Sequence, residues 1–365
     1  MMEDDLTGVL GGHVAPPIWD LVDFTYHPEY HDARLVILCK GQMFAIDMDP
    51  KYFSDCPEQK EKYLFWIQVV DEGEVDGFVE EDFWDWAVAP LMPILEALPP
   101  SPGLETIHDF LFANCTQYKL CAGPSGPVAT LDEQASSYSS SFRVSLSERE
   151  CAPFNVFSPS ALKIFKGDKP LSFPWGHPEM VLLPDGTIAH LRLVHRGHLT
   201  LRDQLEAFRK INESVGSDTL VQRMHGLLKS ENGDVHGLLL SHIDCKYHGI
   251  HGAAHYEDAS MRPKWAKQIL QSVERLHAAG VIWGYADPGN VLVDRNNDAW
   301  IIGCGNGYTK GWTSKGLAGT KEGDWHAVEK ILGFQYVDDR EFYFERRSTT
   351  LDSLPGIFGQ PSTKL

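Results

Sequence analysis

No stretch of this 365-residue sequence approaches the roughly 18 consecutive apolar residues that a membrane-spanning helix needs, so no span is expected. The opening MMEDDLTGVLGG lacks the apolar core of a secretory signal, and the closing PSTKL carries no prenylation cysteine. Cysteine is sparse and unpaired in pattern: seven residues, an odd count, with no CxxC. They read as reduced, mostly buried thiols of a cytoplasmic chain, which argues against a cysteine-built zinc site. Positive charge is also short. Lys and Arg number 32 against 51 Asp and Glu, a formal charge of −19, and no basic stripe offsets it. Such a surface repels phosphate backbones, so neither a nucleic-acid nor a membrane partner is expected. No internal repeat is visible.

What is present is the composition of a packed soluble protein: 43% hydrophobic and 23% charged residues, with length enough for two domains. Residues 1–131 mix strand and helix signals and read as an α+β leader region. RLVILCKGQMFAIDMD (34–49) predicts two strands around a KGQ turn. EEDFWDWAVAPLMPILEAL (80–98) predicts an amphipathic helix, acidic in its first turn and kinked or divided at Pro90 and Pro93. Its Phe83, Trp84 and Trp86 read better as a core-facing stripe than as a stacking surface. The polar, Ser-rich 132–153 predicts a linker or mobile loop.

From 154 to 334 the pattern is orderly. Residues 180–195 form a hairpin turned at PDG, and 199–214 a helix with apolar residues at 201, 205, 208 and 211. Residues 221–243 form a second hairpin, turned at NGD. A long helix over 262–280 closes at Gly280, two short strands follow (290–294 and 299–303), and a last helix runs over 323–334. The remainder, 335–365, reads as a polar tail.

Three segments carry a resemblance: WGYADPGNVLVD, IIGCGNGYTKGW and TKEGDWHAVEKI, in that order behind the hairpin–helix–hairpin–helix series. Over about 180 residues the chain resembles the divergent protein-kinase-like proteins of filamentous fungi. The resemblance implies an α+β, bilobal protein-kinase-like fold, with a small lobe over about 154–243 and a large lobe over about 244–334. It also implies what has changed. The catalytic-loop Asp of kinases corresponds to Tyr285, the Lys two positions on to Asp287, and the metal-binding Asn to Asn290. The metal-binding Asp of the DFG segment corresponds to Gly303, followed by Cys304 where the family has Phe. The strand lysine falls at Arg192 and its helical Glu partner at Gln204, with Glu206 as the alternative. Ser241, His242 and Ile243 fall at the segment that faces adenine. Asp324, which braces the catalytic loop in the family, is kept. No GxGxxG loop precedes the strands.

Phosphoryl transfer depends on positioning and on neutralising phosphate charge, and losing a general base costs about 10²–10⁴ in rate. Losing the principal metal ligand as well speaks against Mg·ATP binding. The chain therefore reads as a catalytically degenerate kinase-like protein that acts by binding a protein partner or a small-molecule ligand. Two alternatives stay open. In one the cleft is turned to non-phosphoryl chemistry on a metabolite, with Tyr285 and Asp287 moving protons; in the other a residual transferase works through Asp287 and Asn290. Two further constellations have blander readings. His248, His251 and His255 could share a helix face as metal ligands, but Gly249 and Gly252 point to a solvated loop. Cys304 could be a nucleophile, but a small buried thiol fits its place better.

Overall fold

The computed structural model describes residues 18–99, 103–135, 140–166, 177–197, 200–305 and 307–334. Its fold is a mixed α+β one, organised as two compact units. Among the described residues, one unit holds those up to 104, 113–135 and 177; the other holds 105–112, 140–166 and everything from 178 onward. The tail expected at 335–365 lies outside the described residues.

The first unit is built on strands β1 (Trp19–His27), β2 (Asp32–Cys39) and β3 (Gln42–Met48). The β2–β3 connection is the KGQ turn read from the sequence. Lys40 and Gly41 both take left-handed φ (47° and 76°), the mirror-image turn whose twist suits a tight hairpin. Helix α1 (Pro57–Glu72), the short hairpin β4 (Glu74–Val75) and β5 (Phe78–Val79), helix α2 (Glu80–Val88) and helix α3 (Met92–Glu96) follow. The strands β6 (Cys115–Cys121) and β7 (Val128–Leu131) then complete a five-stranded sheet of order β1-β2-β3-β6-β7. The β3–β6 pair is parallel, so it needs the long helical crossover between them. Pro90 and Pro93 do divide the 80–98 helix: a 3-10 turn at Ala89–Leu91 separates α2 from α3. Phe83 is fully buried, and Trp84 and Trp86 pack against the same core as Leu35, Ile37, Phe44 and Tyr63.

The second unit starts with helix α4 (Ile107–Leu111), strand β8 (Val144–Ser145) and helix α5 (Glu148–Cys151). Residues 140–151 therefore correct the expected 132–153 linker, while 136–139 lie outside the described residues. Phe142 is 1% exposed, β8 pairs with a central strand, and a Ser147–Glu150 capping box starts α5. The Ser-rich composition hid this, because the stretch holds few apolar residues and needs only Phe142, Leu146 and Cys151 to anchor it.

Strands β9 (Asn155–Phe157), β10 (Lys163–Ile164), β11 (Met180–Leu182) and β12 (Ile188–Leu193) lead to helix α6 (Leu201–Ser214), then to β13 (Met224–Lys229) and β14 (Asp234–Ser241). With β8 they make a seven-stranded sheet of order β10-β11-β12-β14-β13-β9, antiparallel except for β9–β13. Strand β15 (Cys245–Tyr247) and helix α7 (Ile250–Tyr256) precede the long helix α8 (Arg262–Ala278). Strands β16 (Val291–Asp294) and β17 (Ala299–Ile301) pair with β15 in a small sheet, and helix α9 (Lys321–Phe334) ends the described chain. One continuous core joins Phe208 and Ile211 of α6, Leu238 of β14, Trp265 and Ile269 of α8, and Ala327 and Ile331 of α9.

Helix α7 is a second correction, since a loop was expected there. Gly249 precedes the helix with φ of 100°, and Ile250 and Ala253 are buried beneath it. Of the two glycines that argued against a helix, Gly249 lets the chain turn into one and Gly252 is accommodated within it. Among the described residues no three His, Cys, Asp or Glu side chains come together as a metal site, His248, His251 and His255 included.

Candidate functional site

The segment 283–290 is held from behind by one carboxylate. Helix α8 ends at Ala278, and Gly280 (φ 70°) just beyond it turns the chain back so that Asp324 of α9, 2% exposed, meets it. Asp324 Oδ2 accepts from Trp283 N and His277 Nε2 (2.8 and 2.7 Å), and Oδ1 accepts from Gly284 N (2.8 Å). The Trp283 indole, itself fully buried, donates to Ile302 O at 2.8 Å. Two backbone bonds, Gly305 N to Trp283 O and Ile302 N to Asn290 O, lace the segment to residues 302–305. Gly284 permits this approach: its φ is 74°, and a Cβ there would stand 1.9 Å from Gly305 O.

Asp287 is fully engaged in shaping that segment. It caps the 3-10 turn Pro288–Asn290, with Oδ1 accepting from Gly289 N (2.6 Å) and Asn290 N (3.2 Å). Its Oδ2 accepts from Asn290 Nδ2 (3.1 Å) and Thr309 Oγ1 (3.4 Å). Asn290 is 8% exposed and also donates from Nδ2 to Tyr285 O at 2.7 Å. Gly303, with φ of 75°, lies over it, so that a Cβ there would be 3.4 Å from the Asn290 amide atoms.

The Tyr285 ring packs against the glycine-rich stretch at Gly305 and Gly307. A Cβ at Gly307 would fall 2.0 Å from its Cζ, so the ring fits only because that position is bare. Its hydroxyl donates to Thr200 Oγ1 at 3.3 Å, and Thr200 Oγ1 also accepts from Gln204 Nε2 at 3.4 Å. Gln204 Oε1 in turn accepts from Arg192 Nη2 at 2.6 Å. Strand β12, helix α6 and the 283–290 segment are thus joined by one polar chain. Strand alternation sets Arg192 on the face opposite the buried Ala189, Leu191 and Leu193. Helical spacing puts Gln204, 6% exposed, within the buried stripe of Leu201, Leu205 and Phe208.

Arg192 has no carboxylate partner among the described residues, and its Nε is wholly shielded without an acceptor. Burial lowers its pKa to about 10, with the nearby Tyr285 acting in the opposite sense. Glu206, the alternative partner, is not brought to it. Two residues round the helix, it pairs with Arg209 at 2.7 Å, which holds its carboxyl below the ordinary value.

The remaining candidates stand apart from this cluster. Cys304 is 2% exposed, bridged to Gly284 and part of the apolar core; burial, and then Asp324, push its thiol pKa well up. It is packed as a buried thiol. Ser241 ends β14 with its groups spent inside the sheet: N donates to Arg223 O (2.8 Å), Oγ accepts from Arg223 N (3.0 Å), and O accepts from Gln222 Nε2 (3.2 Å). Ile243 is buried and its carbonyl accepts from Cys245 Sγ. His242 is exposed, and partial desolvation lowers its pKa.

Sequence patterns missed Thr200 and His277. Thr200 carried a signal, as a Thr just before a helical run. Its hydroxyl makes no cap bond and serves Tyr285 and Gln204 instead. His277 gave none, because a histidine next to Leu276 on the buried face of an amphipathic helix looks like ordinary core.

No protein-family model and no curated protein matches this chain.

Proposed function

We propose that the second unit is a protein-kinase-like fold that works by binding and not by phosphoryl transfer. Support comes from the order of its elements and from Asp324, which grips the backbone of the segment corresponding to a catalytic loop. The observation that carries the reading is the fate of Asp287. It is the one carboxylate between Trp283 and Asn290, and both its oxygens are engaged by local donors. With Tyr285 and Gly303 at the two positions where kinases place carboxylates, no free acid is left there to accept a hydroxyl proton or anchor Mg²⁺. The Tyr285 ring, wedged against Gly307, takes up room beside the same segment.

The test is transfer of labelled γ-phosphate from Mg·ATP, to the protein itself and to generic acceptors, alongside a thermal-shift titration. The expected result is no incorporation and no Mg²⁺-dependent stabilisation. A ligand at 100 times its Kd adds about 2.7 kcal/mol, so true binding would be plain. Incorporation that disappears in Asn290→Ala overturns the proposal.

One observation favours a second reading, a cleft recruited to proton-transfer chemistry on a small molecule. The Tyr285 hydroxyl sits in the same network as a cation, Arg192, which is how a phenol is prepared to donate or accept a proton. Tyr285→Phe leaves the ring packing intact. Product formation that survives it in a producing strain removes this reading.

A further inference from the structure

We propose that residues 140–151 form a clasp on the second unit that stays shut while the His236 ring is neutral and opens when the ring takes up a proton. The inference goes beyond the binding reading and does not depend on it.

Among the described residues the clasp is held at few points. Strand β8 contributes two residue pairs to β14, Val144 with Val235 and Ser145 with Asp234. Arg196 N donates to Ser141 O at 3.0 Å, Leu146 and Cys151 enter the main core, and Glu150 pairs with Arg202. A further anchor is Phe142, 1% exposed, whose carbonyl lies 2.6 Å from His236 Nδ1. A carbonyl only accepts, so Nδ1 carries the proton of the neutral ring, and Nε2 meets Ser230 Oγ at 2.8 Å. His236 is itself 3% exposed, with Phe142 bonded to it and the Phe112 ring set edge-on at 5.6 Å.

A second proton would go on Nε2, and neither contact has to break. The cost lies in hydration. An imidazolium shut away from water loses its solvation, and among the described residues no carboxylate bonds this ring. Burial accordingly holds its pKa below the ordinary value; the Phe142 bond and Asp234 act against that, and Arg143 acts with it. The other titratable or charged groups on the elements round the ring are Glu231 in the turn before β14, His195 and Arg196 after β12, and His108 beside Phe112 on α4. The shut form is therefore fully stabilised above the ordinary histidine value of about 6.5. That stabilisation is lost as pH falls below it toward the lower value of the buried ring. Opening the clasp removes Phe142 and returns the ring to water while breaking few contacts, so a local opening answers the proton. Glu150 takes no part in this window: its bonds to Ser147, and then to Arg202, bring its carboxyl down to about 2.

The test is amide hydrogen exchange of the full chain at about pH 7.5 and about pH 5, read by mass spectrometry and corrected for intrinsic rates. Protection across 142–151 should fall at least about fivefold at the lower pH, while that of α8 holds. His236→Asn keeps a donor near the Nδ1 position and cannot titrate, so its protection should not change with pH. His236→Gln, with its amide near the Nε2 position, is the second such variant should the first fold poorly. His108→Gln and His195→Gln should respond as the parent does. The inference is overturned if the parent keeps its protection across 142–151 at the lower pH, or if α8 loses as much. It is overturned equally if the response survives both His236 variants, or vanishes with His108→Gln or His195→Gln. Transfer of γ-phosphate would sink the binding reading and leave the clasp untouched.

Discussion

At the scale of single residues, Asp287 and Glu80 show how one carboxylate can be spent on structure and another left exposed to cost. Asp287→Ala removes an N-cap, so it should cost about 0.5–2 kcal/mol in urea unfolding, whereas Asp287→Asn, also a good cap, should cost less. An Ala variant as stable as the parent would mean that the cap bonds contribute nothing. Glu80 is the reverse case. Burial, with Glu81 beside it, pushes its pKa up to about 7. The folded state therefore holds that proton more tightly than the unfolded chain does. Its penalty is absent below the ordinary carboxylate range and grows as pH rises through about 7. Glu80→Gln should accordingly raise the melting temperature at pH 8 and leave it almost unchanged at pH 4. An equal gain at both would assign the effect to something other than ionisation.

At the scale of elements, residues 140–151 carry the clearest expectation. Phe142 lies 6.2 Å from Phe110 and 4.5 Å from His195, ring to ring, and its carbonyl accepts from buried His236 at 2.6 Å. Phe142→Ala should cost about 3–5 kcal/mol, the range for a buried phenylalanine. A linker residue would cost under about 0.5 kcal/mol, so denaturant unfolding decides between them. The same segment shows what the sequence made legible. Elements marked by periodicity and turn chemistry could be read: the KGQ and PDG hairpins, the α6 stripe and the proline-divided 80–98 helix. Elements defined by pairing far along the chain could not. Strand β8 has two residues and exists because β14 lies beside it, and α7 exists because Ile250 and Ala253 have a core to enter. In the site, Arg192 and Gln204 could be paired from the resemblance alone, since strand and helix registers fix them. Thr200 could not be joined to Tyr285, because 85 residues separate them and no pattern links their side chains.

For the whole molecule, the formal charge of −19 is the dominant long-range quantity. The excess is locally concentrated: residues 71–85 carry eight carboxylates and no Lys or Arg. Like-charge repulsion opposes the compact state and is screened over about 8–10 Å at physiological salt. Raising NaCl from about 0.01 to 0.15 M should therefore raise the melting temperature, even though exposed pairs such as Arg209–Glu213 weaken. A fall would mean that the ion pairs outweigh the repulsion. Among the described residues no helix is long and apolar enough to cross a membrane.

Asp324 has one more consequence. It fixes the path of residues 283 and 284 through their backbone N–H groups, which every residue but proline possesses. That hold does not run through the side chain at position 285, whereas Gly284 must stay bare and Trp283 fills the core beside it. Over generations, substitutions at position 285 can be sampled with little risk to folding, while a change at 324 is purged at once. A descendant of this chain can thus gain or lose a chemistry at position 285 long before it loses its shape.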